Sequence, residues 1–93
     1  MAIAAPNPDL KVDFDAEEDV LYVSLGAPIP SHADEAPDGL LLRRSNAEDR
    51  PSGVTAFDFR QNWRDRRSAF YSLVADYLHV PTQVVERAIE KTI

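Results

Sequence analysis

The stretch Leu10-Lys11-Val12-Asp13-Phe14-Asp15-Ala16-Glu17-Glu18-Asp19-Val20-Leu21-Tyr22-Val23-Ser24-Leu25 decides the fold. Leu10, Val12 and Phe14 alternate with Lys11, Asp13 and Asp15, the period-two pattern of a half-buried strand with one wet face. Ala16-Glu17-Glu18 forms a short polar turn. Residues 19–25, rich in Val, Leu and Tyr and apolar on both sides, form a second strand with the character of an inner one. Beyond it, residues 26–38 hold Pro28, Pro30 and Pro37 and show little periodicity, which predicts a long connection. Asp38-Gly39 opens a third strand over residues 40–44. A polar turn over residues 45–52 leads to a fourth strand over residues 53–59, with Thr55, Phe57 and Phe59 on one face and Val54, Ala56 and Asp58 on the other.

From Arg60 onward the period becomes helical. Phe70, Leu73, Val74, Tyr77 and Leu78 recur at i, i+3, i+4, i+7 and i+8, an apolar stripe. Pro81 disfavours a helical residue before it and suits the first turn of a new helix, so His79-Val80-Pro81 separates two helices. Val84, Val85, Ala88, Ile89 and Ile93 make the second stripe. The expected fold is α+β: a four-stranded antiparallel β-meander followed by two amphipathic helices packing on the sheet. Its organisation is a flexible N-terminal tail over residues 1–9, the meander over 10–59, and a helical part of the same domain over 60–93.

The segment Phe14–Leu25, with its acidic turn and Asp19-Val20-Leu21-Tyr22, resembles the opening of a bacterial family of domains of unknown function, number 2283. Asp38-Gly39-Leu40-Leu41-Leu42 is similar to that family's third strand, and Gly53-Val54-Thr55-Ala56-Phe57-Asp58-Phe59 to its fourth. The resemblance covers residues 10–59. Arg43-Arg44 departs from it, standing where acidic or neutral residues are usual, and the helical C-terminal extension is atypical. The family brings no established activity or catalytic set. It implies a small partner protein, sometimes thought of beside toxin-like ribonucleases.

Composition bounds the function. The 93 residues are 44% hydrophobic and 28% charged, the balance of one globular domain. No apolar run reaches the ~20 residues of a membrane span. The N-terminal residues lack the basic start and sustained apolar core of a secretory signal. No cysteine is present, which removes disulfides, thiolate metal sites and a cysteine nucleophile together. The expected location is cytoplasmic. The net charge of −6 is uneven: residues 1–49 carry −8 and residues 50–93 carry +2. An acidic first half argues against general nucleic-acid binding and favours a basic partner.

The local constellations point away from catalysis. Counting from Asp13, the acidic run Asp13, Asp15, Glu17, Glu18 and Asp19 puts Glu18 where a calcium loop needs glycine and Ser24 where it needs a bidentate Glu. It reads as a solvated turn. His32 and His79 lie far apart, and His79 reads as a cap on its helix's last carbonyls. There is no Gly-x-Ser-x-Gly elbow and no phosphate-binding glycine loop. No catalytic, metal or cofactor residue is therefore assigned, and no cofactor is expected. The exception to this blandness is Arg60, Trp63, Arg64 and Arg67, with Arg66 adjacent. On one continuous helix three of these arginines share a face. Arginine beside an aromatic suits phosphate contact and base stacking, or a protein interface, while pairing with the acids of residues 13–19 or with Asp65 would be purely structural.

Apolar residues also exceed what one sheet face needs. Leu21, Val23, Leu25 and Leu41 lie opposite Val20, Tyr22, Leu40 and Leu42 along their strands. Either the two helices cover opposite faces, or one face stays open and a symmetric homodimer buries it. The expected function is a non-enzymatic protein–protein interaction module, homodimeric, with an antitoxin-like role toward a basic protein as its most concrete form. The alternatives are a nucleic-acid-associated regulator using the arginine-rich helix, and a small enzyme with an unrecognised site.

Overall fold

β2 (Val20–Leu25) and β5 (Pro51–Phe57) lie side by side in the sheet and carry its most deeply buried residues. Leu21, Val23, Val54 and Ala56 are fully buried there and project to one face. Around this pair a computed structural model, describing residues 9–93, places β1 (Leu10–Asp15), β3 (Ser31–Ala36) and β4 (Leu40–Ser45) in one antiparallel sheet of order β1-β2-β5-β4-β3. The α+β class and the antiparallel sheet agree with the sequence reading. The expected tail falls outside the described residues except for Asp9, whose carbonyl accepts the Gly26 N–H at 2.7 Å.

The sheet has five strands rather than four, and it is not a simple meander. The chain leaves β2, crosses to the far edge, and makes the β3–β4 hairpin before β5 returns to the middle. β3 lies inside the segment expected to be a loop. Its sequence, Ser-His-Ala-Asp-Glu-Ala, has no apolar alternation because both faces of an edge strand are wet here: residues 32–35 are all exposed. Pro37-Asp38-Gly39 is its turn. Asp38 and Gly39 both have positive φ, 64° and 79°, and a Cβ on Gly39 would sit 2.5 Å from the Phe57 carbonyl oxygen. Asp38-Gly39 therefore closes a hairpin rather than opening a strand after a loop.

The fourth expected strand also ends early. Asp58 turns left-handed at φ 52°, so Phe59 leaves the strand and drops into the core, away from Phe57. The helical layer is α1 (Phe59–Trp63), a 3-10 turn (Arg64–Arg66), α2 (Arg67–Leu78) and α3 (Thr82–Thr92). Phe59, Trp63, Phe70 and Tyr71 form a chain of tilted and edge-on ring contacts 5.0–6.4 Å apart. α2 lies on β5 and α3 on β1, and their buried residues join one core with Leu21, Val23, Val54 and Ala56. Both helices thus cover the same face of the sheet. Tyr71 donates a hydrogen bond to the Glu90 carboxylate, which also pairs with Arg67 at 3.2 Å and ties α2 to α3. At the end of α2, His79 adopts the left-handed cap, and its backbone N–H bonds the Ala75 carbonyl. The cap is made by the main chain rather than by the expected imidazole charge.

On the uncovered face, Arg43 has a structural use. Its guanidinium lies across β5, with Nη2 donating to the Val23 carbonyl at 2.8 Å and to Ser24 Oγ at 3.2 Å. The strand it crosses carries Gly53 at that point. A Cβ on Gly53 would lie 2.4 Å from Arg43 Nη2 and 2.5 Å from the Val23 oxygen. Just past it, Ser52 is an extra residue between the Arg43–Gly53 and Arg44–Pro51 pairs, a bulge that bends β5 at its start. The Gly53→Ala variant is expected to lose about 1–3 kcal/mol of stability from overpacking. Urea denaturation compared with wild type measures it. An unchanged midpoint would show that the guanidinium and the Val23 carbonyl yield freely.

Candidate interaction site

The arginine-rich segment does not form one helical face. α1 ends at Trp63, and the 3-10 turn separates Arg60 from Arg67. Trp63 is 3% exposed and belongs to the core, with the Arg66 guanidinium stacked 4.3 Å from its ring centroid. Of the four residues singled out in the sequence, Arg60 and Arg67 are held in ion pairs, to Asp19 at 2.9 Å and to Glu90 at 3.2 Å. Arg64 is exposed and has no ion pair among the described residues.

These side chains act instead as a latch between the helical layer and one end of the sheet. Asp19, in the β1–β2 turn, accepts the Arg60 backbone N–H on both carboxylate oxygens at 3.0 and 3.1 Å, and the Arg60 Nε at 2.9 Å. It caps α1 from a distant part of the chain, where its own Asp58 offers no side-chain bond. Arg60 also reaches the Ala16 carbonyl at 2.7 Å. In the β3–β4 turn, Asn62 Nδ2 donates to the Asp38 carbonyl at 2.9 Å, and Arg66 pairs with the Asp38 carboxylate at 3.1 Å. The acids of the hairpin thus have a structural use for Asp19 and a local one for Asp15, which accepts the Glu18 N–H at 3.1 Å. No group of three or more His, Asp or Glu among the described residues is placed to hold a metal.

The residues left facing outward lie elsewhere, on the sheet face that the helices do not cover. Register places Lys11, Asp13 and Asp15 of β1 beside Ser24, Tyr22 and Val20 of β2, then Gly53, Thr55 and Phe57 of β5, then Arg43 and Leu41 of β4, and Ala33 and Glu35 of β3. Tyr22 in the middle of β2 and Phe57 at the end of β5 are 39% and 42% exposed on this face, with Leu41 half-buried beside them. A shallow depression of about 310 Å³ is lined by Tyr22, Ser24, Pro28, Arg43, Lys11 and Asp13. Arg43 has no carboxylate within ion-pair distance among the described residues, and its Nε is buried without a hydrogen-bond partner. Asp13, Asp15 and Glu35 at the edges of the face are likewise without an ion pair among the described residues. The alternation of Tyr22 and Val20 against Leu21 and Val23 was the signal for this face in the sequence. Arg43 could not be found that way, because its role depends on Gly53 in the next strand of the chain and on Val23 two strands before it.

Among the described residues no helix is long and apolar enough to cross a membrane. Compared with protein-family models, with curated proteins and with solved structures, the chain matches none.

The latch has a pH signature. Burial raises the Asp19 carboxyl pKa, but the hydrogen bonds from the Arg60 N–H and guanidinium, with the Gln61 N–H and the Arg60 charge, outweigh it and hold the group below its ordinary value. A depressed folded-state pKa contributes stability above the unfolded value of about 3.9, and that stability is lost as pH falls through it toward the folded value. Asp19→Ala is expected to cost about 1–2 kcal/mol at neutral pH through loss of the cap. Asp19→Asn should flatten the acid limb of a stability–pH profile measured by denaturation. An Asp19→Asn profile as steep as wild type below pH ~4 would contradict the assignment.

Proposed function

We propose that this chain is a non-enzymatic protein–protein interaction module that works as a homodimer, with the uncovered sheet face as the surface between the two copies. The observation that carries the reading is the pair Tyr22 and Phe57, two large exposed rings on the central strands of a face no helix covers. Exposed aromatic residues clustered on a flat face are the composition of interface centres. Charge supports a second copy as the occupant. Among the described residues the face carries Arg43 and the edge acids Asp13, Asp15 and Glu35 without an ion pair, so a copy laid against it meets groups of opposite sign. A symmetric pair is also the commonest closed way to bury such a face.

The acidic surplus is the basis for the wider role. With a net charge of −6 the module suits a basic partner, and an antitoxin-like capture of a basic protein is the concrete form of this reading. Membership of the domain family that residues 10–59 resemble is part of the same proposal. The nucleic-acid reading has less support, because Arg60 and Arg67 are already satisfied by carboxylates and Trp63 is core.

Light scattering coupled to size exclusion tests the dimer. The wild-type protein should run at twice the chain mass at micromolar concentration, and the double variant Tyr22→Asp/Phe57→Asp, which places like charges on this face, should run at the chain mass with unchanged circular dichroism. A wild-type monomer, or a variant that remains dimeric, would contradict the proposal.

A further inference from the structure

The helical side of the sheet carries an unfilled place in its own layer. With α3 on β1 and α2 on β5, β4 and β3 lack a helix of comparable contact above them. Adjacent strands are about 4.8 Å apart, so the distance from β5 to β3 is about 10 Å. That is the spacing at which one helix packs beside another. The space is a groove of about 740 Å³ whose floor is Ala36, Leu40 and Leu42 and whose wall is Leu73 and Tyr77 of α2, with Trp63 also lining it. Ala36, Leu42, Leu73 and Tyr77 are only half-buried and pack against the margin of the core. The Trp63 indole N–H is buried without an acceptor among the described residues. Tyr77 is fixed in the wall by donating to the Arg43 carbonyl at 2.8 Å.

The charges around the groove have one sign left over. Asp76 lines it, and Asp34 projects to the same sheet face as its register partner Leu42. Neither has an ion pair among the described residues, whereas the nearby cations Arg44 and Arg66 are held by Asp49 and Asp38. A second copy of this chain is a poor occupant. The exposed side of α2 presents Ser68, Ala69, Ser72 and Asp76, and that of α3 presents Gln83, Glu86, Arg87, Glu90 and Lys91, mixed in sign. The apolar Val85 and Ile89 of α3 are already buried in the core, so neither helix brings a free apolar stripe flanked by basic residues alone.

We infer that this groove docks an amphipathic helix of another protein, one whose apolar stripe is flanked by lysine or arginine. The incoming helix takes the third place in the helical layer, burying Leu42, Leu73 and Tyr77 and meeting Asp34 and Asp76 with its basic flanks. The inference rests on the interaction-module reading and names the partner chemistry, but it uses a surface separate from the dimer face.

The probe is a synthetic leucine–lysine peptide of about four helical turns, with leucines at i, i+3, i+4 and i+7, titrated into the full chain labelled with nitrogen-15. Amide shifts should concentrate on β3, β4 and the flank of α2, with Leu42, Leu73 and Tyr77 moving most. A leucine–glutamate peptide of the same pattern should not bind, and the variant Asp34→Lys/Asp76→Lys should bind the lysine peptide about tenfold more weakly. Shifts centred on Tyr22 and Phe57, or equal binding of the two peptides, would overturn the proposal. Shifts at Leu42 and Leu73 that depend on the concentration of the protein alone would also overturn it, because a second copy would then fill the groove. The Asp34→Lys/Asp76→Lys variant should keep the mass of the wild-type assembly, so failure of the groove and failure of the dimer are read separately.

Discussion

Two helices of twelve and eleven residues cover one face of a five-stranded sheet, and they cover it unevenly. That constraint organises the rest of the molecule. The strands under the helices, β1, β2 and β5, hold the fully buried Leu21, Val23, Val54 and Ala56. Among the described residues, β4 and β3 receive only the flank of α2, and the opposite face receives no helix. In a chain of 93 residues the core leaves little margin, so the layer must be held where it begins. Asp19 and Asp38, in two turns at the same end of the sheet, do this by gripping Arg60, Asn62 and Arg66 on the segment that leads from β5 into α2.

The arginine cluster changes meaning in this light. As sequence it has the composition of a recognition surface, with a tryptophan among four arginines. In three dimensions the tryptophan is the centre of an aromatic core, and the arginines fasten that core to the sheet. Of the readings open to these arginines in the sequence, Arg60 takes the structural one, pairing with Asp19 of the first hairpin. The partner of Arg67, Glu90, lies on the last helix, and nothing in local spacing pointed to it.

Much of the fold was legible because burial on one side leaves a period. Leu10, Val12 and Phe14 on β1, and Phe70, Val74 and Leu78 on α2, are where alternation and helical spacing placed them. β3 was not legible by the same logic, since a polar edge strand exposed on both faces carries no period, and Asp38-Gly39, read as the opening of a strand, is its hairpin turn. Phe59 was assigned to the wrong element because alternation continues through Asp58, and only the left-handed backbone there breaks it. Strand order was likewise beyond local pattern: β5 lies between β2 and β4 because its run of small and apolar residues suits a buried centre, whereas β3 suits only the rim. For the candidate site, the excess of apolar residues on β2 and β4 left two arrangements open, helices on opposite faces or one open face. The helices' common side decides for the second among the described residues. The role of Arg43 required the pairing of β5 between β2 and β4.

The central claim is that the face bearing Tyr22 and Phe57 meets its own copy. The most direct measurement is an isotope-filtered nuclear Overhauser experiment on a mixture of labelled and unlabelled chains, which records contacts between copies only. The account predicts intermolecular contacts from the Tyr22 and Phe57 rings to Leu41 and to one another. Intermolecular contacts that arise only from Leu73 and Tyr77, or none from Tyr22 and Phe57 in a sample of established dimer mass, would contradict it.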